Sequence, residues 1–232
     1  MSSQLSQARL PAVESAARSH NLLGQRLGRK GRDTRERILG ALPRVLADPA
    51  DTPLSLTAIA REASIGMTTL YLYFADMSEL LLAALEPLGA EADALRNRFD
   101  HHWPDGTLEE ECVSFLKAHH MFWSEHSRLL HLRNSLADTG DLRMLESRRA
   151  MSRPVLACLT RQMPDRVAAN GSASANYAVV LMTMLERMAT ITTDATFARD
   201  LTTPDGGGAE AFVADTLQAE AKIIALTIRN LR

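Results

Sequence analysis

At 232 residues, with 46% apolar and 23% charged side chains, the chain has the length and composition of a globular protein that can bury a core. No run of about eighteen apolar residues exists to span a bilayer, and no apolar leader with a cleavage site opens the sequence. Its two cysteines, Cys112 and Cys158, form no CxxC pair, so the expectation is a cytoplasmic protein with reduced thiols.

The net charge of −2 hides an asymmetry: residues 1–47 hold nine Arg or Lys against three acids, net +6, and the remainder holds 17 against 25, net −8. A basic end on an acidic body suits a protein that sets one end on a polyanion. Residues 1–31 lack sustained periodicity and close on LGQRLGRKGR, which predicts a flexible basic arm with at most a helical turn over residues 12–20. A first helix is expected to start at Asp33 as its cap, with Ile38, Leu39, Leu42, Val45 and Leu46 as its buried stripe and Pro43 bending it. The segment DPADTP, residues 48–53, is turn chemistry.

Ser55 should cap a second helix that buries Leu56, Ile59, Ala60 and Ala63. Residues 64–66 make a turn, and residues 68–74 a short third helix held at an angle by the second. That shape enters a DNA major groove. Gly66, Met67, Thr68, Thr69 and Leu72 would then face base edges. Ser55, Thr57, Arg61, Tyr71 and Tyr73 supply hydroxyls and charge for phosphates, and Ile65, Leu70 and Phe74 help fix the interhelical angle. Asp76 caps a long fourth helix reaching about Phe99, interrupted at Pro87 and Gly89.

After the break HHWPDG at residues 101–106, Thr107 is expected to cap a helix with Leu108, Cys112, Phe115, Leu116, His119, Phe122 and Trp123 on one face. Shorter helices should cover residues 127–136 and 141–163, with loops at NGSAS (170–174) and TTPDGGGAE (202–210). Two strongly apolar helices, about residues 175–192 and 211–230, must bury two faces each. They can do so in a core or in a self-complementary four-helix interface. No strand signal or repeat stands out.

Six histidines lie between His101 and His131, with Asp105, Glu109 and Glu125 nearby, but no HExxH and no paired carboxylates at ligand spacing accompany them. Nucleophile elbows, P-loops and GxGxxG motifs are absent. The reading is therefore neither an enzyme nor a metalloprotein, with no cofactor expected.

The motif Ser55, Ile59-Ala60, Ala63, Thr69-Leu70-Tyr71, Tyr73-Phe74 and Leu80 resembles the TetR-like (TetR/AcrR) bacterial transcriptional regulators over about residues 33–82. The resemblance implies an all-α fold: a three-helix helix-turn-helix head, joined by a long helix to a helical effector-binding and dimerisation domain. On that plan the boundaries are an arm at 1–31, a DNA-binding domain at 32–82 and an effector and dimer domain at 83–232. It implies a homodimer on a palindromic operator, a repressor role relieved by a small, largely apolar effector, and no membrane partner. The implied dimer helices are the last two, with Tyr177, Leu181, Leu185, Phe212, Leu217 and Ile224 at the interface. The candidate effector lining is Phe115, His119, Phe122, Trp123, Leu130, Met184 and Met188.

Three departures from the family pattern stand out. Ser64 occupies a turn position that favours glycine, Met77 replaces a common phosphate-holding lysine, and Met67 stands where a polar residue is frequent. No ionised side chain occurs from residue 64 to 75, so base readout rests on threonine hydroxyls, apolar contact with thymine methyls and DNA shape. Arg26, Arg29, Lys30, Arg32 and Arg35 are expected to compensate from the arm. The alternative reading is a helical ligand-binding dimer with weak or no specific DNA affinity.

Overall fold

The computed structural model describes residues 20, 22, 24–47, 54–163, 173–194, 196–197 and 208–232. The expected turn at 48–53, most of the arm, residues 170–172 of the NGSAS loop and residues 202–207 of the glycine loop lie outside them. Eight helices are found among the described residues: α1 Arg29–Ala47, α2 Leu56–Glu62, α3 Met67–Leu70, α4 Met77–Arg98, α5 Leu108–Asp138, α6 Leu142–Gln162, α7 Ala173–Thr192 and α8 Ala209–Leu231. No strand occurs among them; one isolated bridge pairs His20 with Arg26. The chain divides into two compact units, Met1–Ala84 and Leu85–Arg232.

In the first unit α1 starts at Arg29, four residues before the expected Asp33 cap, so Arg29 and Lys30 belong to a helix and not to an arm. The preceding residues are ordered because Leu27 is buried and the Leu22 N–H donates to the Leu72 carbonyl at 2.9 Å. Ile38, Ala41 and Leu42 of α1 pack with Ile59, Leu70, Phe74 and Leu80 into one apolar core. α4 opens on a reciprocal cap, as the sequence pattern requires. The Glu79 N–H donates to Asp76 Oδ1 at 2.8 Å, and Glu79 Oε2 accepts from the Ala75 N–H at 2.6 Å. It then runs unbroken through Pro87 and Gly89. A helix can absorb one missing N–H where packing holds both flanks: Leu85 and Leu88, either side of Pro87, are buried.

The second unit also differs from expectation. One continuous 31-residue helix, α5, replaces both the helix expected from Thr107 and the shorter one expected over 127–136, whereas the one expected over 141–163 is found as α6. Its stripe of His119, Trp123, His126, Leu130, Arg133 and Ala137 keeps a three-four spacing across the proposed break, so the same face stays against the core. Thr107 stands at the N-cap position but makes no cap bond through its side chain; Glu109, Glu110 and Glu111 supply the favourable charge in the first turn. α5 packs on α6, α7 and α8, and α7 also packs on α6 and α8. The 101–106 break is anchored at its middle: the buried Trp103 N–H donates to Gln162 Oε1 at 3.0 Å, and Gln162 Nε2 donates to the His101 carbonyl at 2.8 Å.

Candidate nucleic-acid interface and ligand cavity

The Ser55 hydroxyl accepts from the Ala58 N–H at 3.1 Å and starts α2. α2 ends in a Schellman motif: the Ser64 N–H reaches the Arg61 carbonyl at 3.0 Å and the Ile65 N–H reaches Ala60 at 3.0 Å. The motif needs a left-handed residue between them, and Ser64 takes it at φ +53°, the one non-glycine with positive φ among the described residues. The Leu70 N–H returns to the Gly66 carbonyl at 3.1 Å and starts α3, whose regular turn ends at Leu70, earlier than the expected residue 74. Buried Leu70 and Phe74 fix its angle.

Thr57, Arg61, Gly66 and Thr68 are exposed, as is Tyr71 at 49%; Ser55, Met67, Thr69, Leu72 and Tyr73 are half-buried. The exposed Thr57, Thr68 and Tyr71 belong to the same unit as the exposed cations Arg61, Arg29 and Lys30. Arg32 donates through Nη1 to the Leu27 carbonyl at 2.9 Å. Arg35 departs from the expected phosphate set: it is half-buried with its guanidinium 5.3 Å over the Phe74 ring, so it serves the packing of the head.

In the body, His119, Phe122, Trp123 and Leu130 line a cavity of about 30 Å³ together with Arg133 and Glu186. Met188 lines a smaller one of about 10 Å³ with Leu217, Glu220 and, again, His119. Phe115 and Met184 do not line either; Phe115 is 1% exposed, edge-on to Phe99 at 5.4 Å, and belongs to the core. Burial pulls the His119 pKa down to about 4, with the nearby His120 adding to the effect, and burial alone raises Glu220 to about 7. His119 therefore sits uncharged at neutral pH and Glu220 is close to half protonated there, and Glu220 Oε1 has no hydrogen-bond partner among the described residues.

Arg133, Glu186 and Glu220 escaped the sequence reading. Arg133 lies three residues after Leu130 on the apolar stripe of α5, and Glu220 falls between Leu217 and Ile224 on that of α8. A charged residue on an apolar stripe was the available signal.

The remaining histidines have structural partners. His120 and His131 meet the hydroxyls of Thr192 and Thr193 at 3.0 Å, and His101 faces Glu111 at 3.4 Å. Glu91, Glu125 and His126 bring potential metal ligands within 4.8 Å of one another, but both carboxylates are exposed and the His126–Glu91 ion pair at 3.0 Å accounts for the approach.

The expected dimer residues fall into two groups. Leu181, Leu185 and Ile224 are at most 3% exposed within the subunit, because that face of α7 and α8 packs on α5. They cannot meet a second subunit. Phe212 and Leu217 are half-buried. The opposite faces present Tyr177, Val179 and Val180 on α7 and Ile223 and Leu226 on α8 to solvent.

No family model matches the chain, and no curated protein does. Solved structures do. FadR of Bacillus halodurans, a fatty acid degradation regulator, superposes with a TM-score of 0.56 at 13% identity, covering 87% of this chain and 97% of its own. FadR of Bacillus subtilis, solved with stearoyl-CoA, gives 0.56 at 12% identity over 82% and 97%. A TetR/AcrR-family transcriptional regulator from Aquifex aeolicus gives 0.51 at 15% over 82% and 99%. At such identities the likeness is one of fold: the chain has the all-α architecture of the TetR-like transcriptional regulators.

Proposed function

We propose that the chain is a sequence-specific DNA-binding transcriptional regulator, a homodimer that represses until a small molecule occupies the body. The observation that carries the reading is the head: a one-turn helix fixed by a Schellman turn and two buried side chains, with Thr68, Tyr71 and Arg61 exposed around it. Dimerisation through the exposed apolar faces of α7 and α8 would pair two heads on a palindrome. The effector acts by population shift, weakening DNA binding only by its preference for the DNA-incompetent state. The cavity of about 30 Å³ is far below the roughly 300–1,000 Å³ of occupied ligand sites, so the described conformation is the ligand-free one on this reading.

Selection of bound duplexes from a random DNA pool, at low and then physiological salt, tests it. Enrichment of a palindrome that is lost in Thr69→Ala or Tyr71→Ala supports the regulator. Only sequence-blind, salt-sensitive binding overturns it and favours a ligand-binding dimer, the reading that the uncharged stretch 65–75 supports.

A further inference from the structure

The body cavity is lined by a buried positive charge that no carboxylate of the described residues contacts directly. Arg133 is 2% exposed. Its Nη1 donates to the Met151 thioether at 2.8 Å, and its Nε and Nη2 to the side-chain carbonyl of adjacent Asn134 at 3.1 and 2.9 Å. The Trp123 ring lies 6.0 Å away, at the outer limit of a cation–π contact. No ion pair within 4.0 Å reaches this guanidinium among the described residues. The acid of the same cavity, Glu186, instead accepts the Ser152 hydroxyl at 2.6 Å.

A buried arginine kept for structure is normally paired with a carboxylate, because taking the charge out of water is otherwise unfavourable. Sulfur is a weak acceptor, so Nη1 is satisfied by the partner easiest to displace. Burial accordingly draws the Arg133 pKa down to about 10, against the pull of Glu186. The wall that carries Met151 also has a gap in its backbone hydrogen bonding. Pro154 follows it on α6 and lines the same cavity, and proline cannot donate the backbone bond that would close that turn. Methionine side chains at Met151 and Met182 can swing to widen the space.

We propose that the effector is an amphipathic organic anion, whose carboxylate displaces the Met151 thioether and forks onto Arg133 while its apolar body lies against Phe122, Trp123 and Leu130. This inference rests on the reading of the body as an effector domain, and it adds an anionic end to the largely apolar effector expected from the sequence. The fork geometry of guanidinium and carboxylate supplies selectivity as well as affinity.

Calorimetric titration of the full chain without DNA tests it, using octanoate, 1-octanol and octylamine as probes of equal length. Octanoate is expected to bind about ten- to a hundredfold tighter than the alcohol, the range of one charge-assisted pair, with the amine weakest. Arg133→Met should abolish that preference and leave the alcohol unchanged. Should that variant not fold, Met151→Ala decides: removing the competing thioether should strengthen octanoate binding more than octanol binding. Equal binding of alcohol and acid, a preference for the amine, absence of binding by all three, a preference that survives Arg133→Met, or equal gains in Met151→Ala each overturn the proposal. DNA selection is run without these probes, so the two readings fail separately. A palindrome binder without carboxylate preference sinks the anionic effector alone, and a carboxylate binder that ignores DNA sinks the regulator alone.

Discussion

His119 and Glu220, which line the same small cavity, should make opposite and nearly cancelling contributions to the pH dependence of stability. His119 has its pKa lowered from 6.5 to about 4 by burial first and His120 second. Above pH 6.5 neither state is protonated and it contributes nothing. Below 6.5 the unfolded chain takes up a proton that the folded chain refuses, so stability falls by about 1.4 kcal/mol per pH unit until about pH 4. Glu220 has its pKa raised from 4.5 to about 7. Below 4.5 both states are protonated; as pH rises from there the unfolded chain releases a proton that the folded chain keeps, and stability falls by about the same amount per unit up to about pH 7. Between pH 4.5 and 6.5 the two slopes oppose each other, and the pair is close to neutral.

Breaking the balance exposes each half. Relative to the parent, Glu220→Gln should lose about 3 kcal/mol on acidification from pH 6.5 to 4.5, two units at about 1.4 each. His119→Leu should lose about the same on going from pH 4.5 to 6.5, and the double variant should track the parent. Urea unfolding at fixed protein concentration measures this, followed by tryptophan fluorescence. Both tryptophans of the chain, Trp103 and Trp123, are buried in the second unit, so the signal reports that unit alone. Subtracting the parent at each pH removes every other titrating group. A difference that stays constant from pH 4.5 to 6.5 for either variant would show that the group ionises as it does in water, and the argument from burial would fall.

Ser64→Gly should stabilise the head by about 0.5–1 kcal/mol, since glycine relieves roughly 1–2 kcal/mol of left-handed strain but adds about 0.5–1 kcal/mol of unfolded-state entropy; Ser64→Val should destabilise it, and matched stabilities in urea unfolding followed by far-ultraviolet circular dichroism, which sees the helices of the head, would contradict both. Ser55→Ala, which removes the cap on α2, should cost about 1 kcal/mol in the same assay. Cys112 and Cys158 are buried with their thiols pushed up to about 12 and about 11, so iodoacetamide at pH 8 should leave both unmodified until the protein is unfolded; rapid native alkylation, read by mass spectrometry, would show that the core around them opens. Val180→Asp with Leu226→Asp should convert a dimer to a monomer in sedimentation and weaken binding to a palindrome, whereas Leu181→Asp should unfold the subunit because its side chain is 3% exposed.

The parts of the molecule legible in the sequence are those where one local rule decides. Ser55 announces a helix start because its hydroxyl is the group that the Ala58 N–H needs, and Asp76 with Glu79 announces the next in the same way. The tight turn at Ser64 was legible as strain for the same local reason. The failures occur where tertiary packing outvotes local signals. Pro87 and Gly89 read as an interruption, but buried Leu85 and Leu88 hold the helix together across them. The apolar girth of residues 175–192 could not say which face meets the subunit's own core and which meets another molecule, and half of the expected dimer residues proved to face inward.

Composition also concealed the character of the cavity. Phe122, Trp123 and Leu130 line the cavity, and from them alone an occupant reads as apolar. The charge that changes this reading is one residue, Arg133, placed at the next position of the same stripe, where an ordinary core would carry leucine. A buried guanidinium costs stability that a leucine would have supplied, and among the described residues no carboxylate offsets it through direct contact. The head offers the converse case: residues 64–75, which include α3, carry no charge, and on the proposed reading this lowers non-specific attraction to phosphates and leaves selectivity to hydroxyls and methyl contacts. In both places the informative feature is a charge pattern wrong for its surroundings, and the proposed effector and operator are the partners that would answer it.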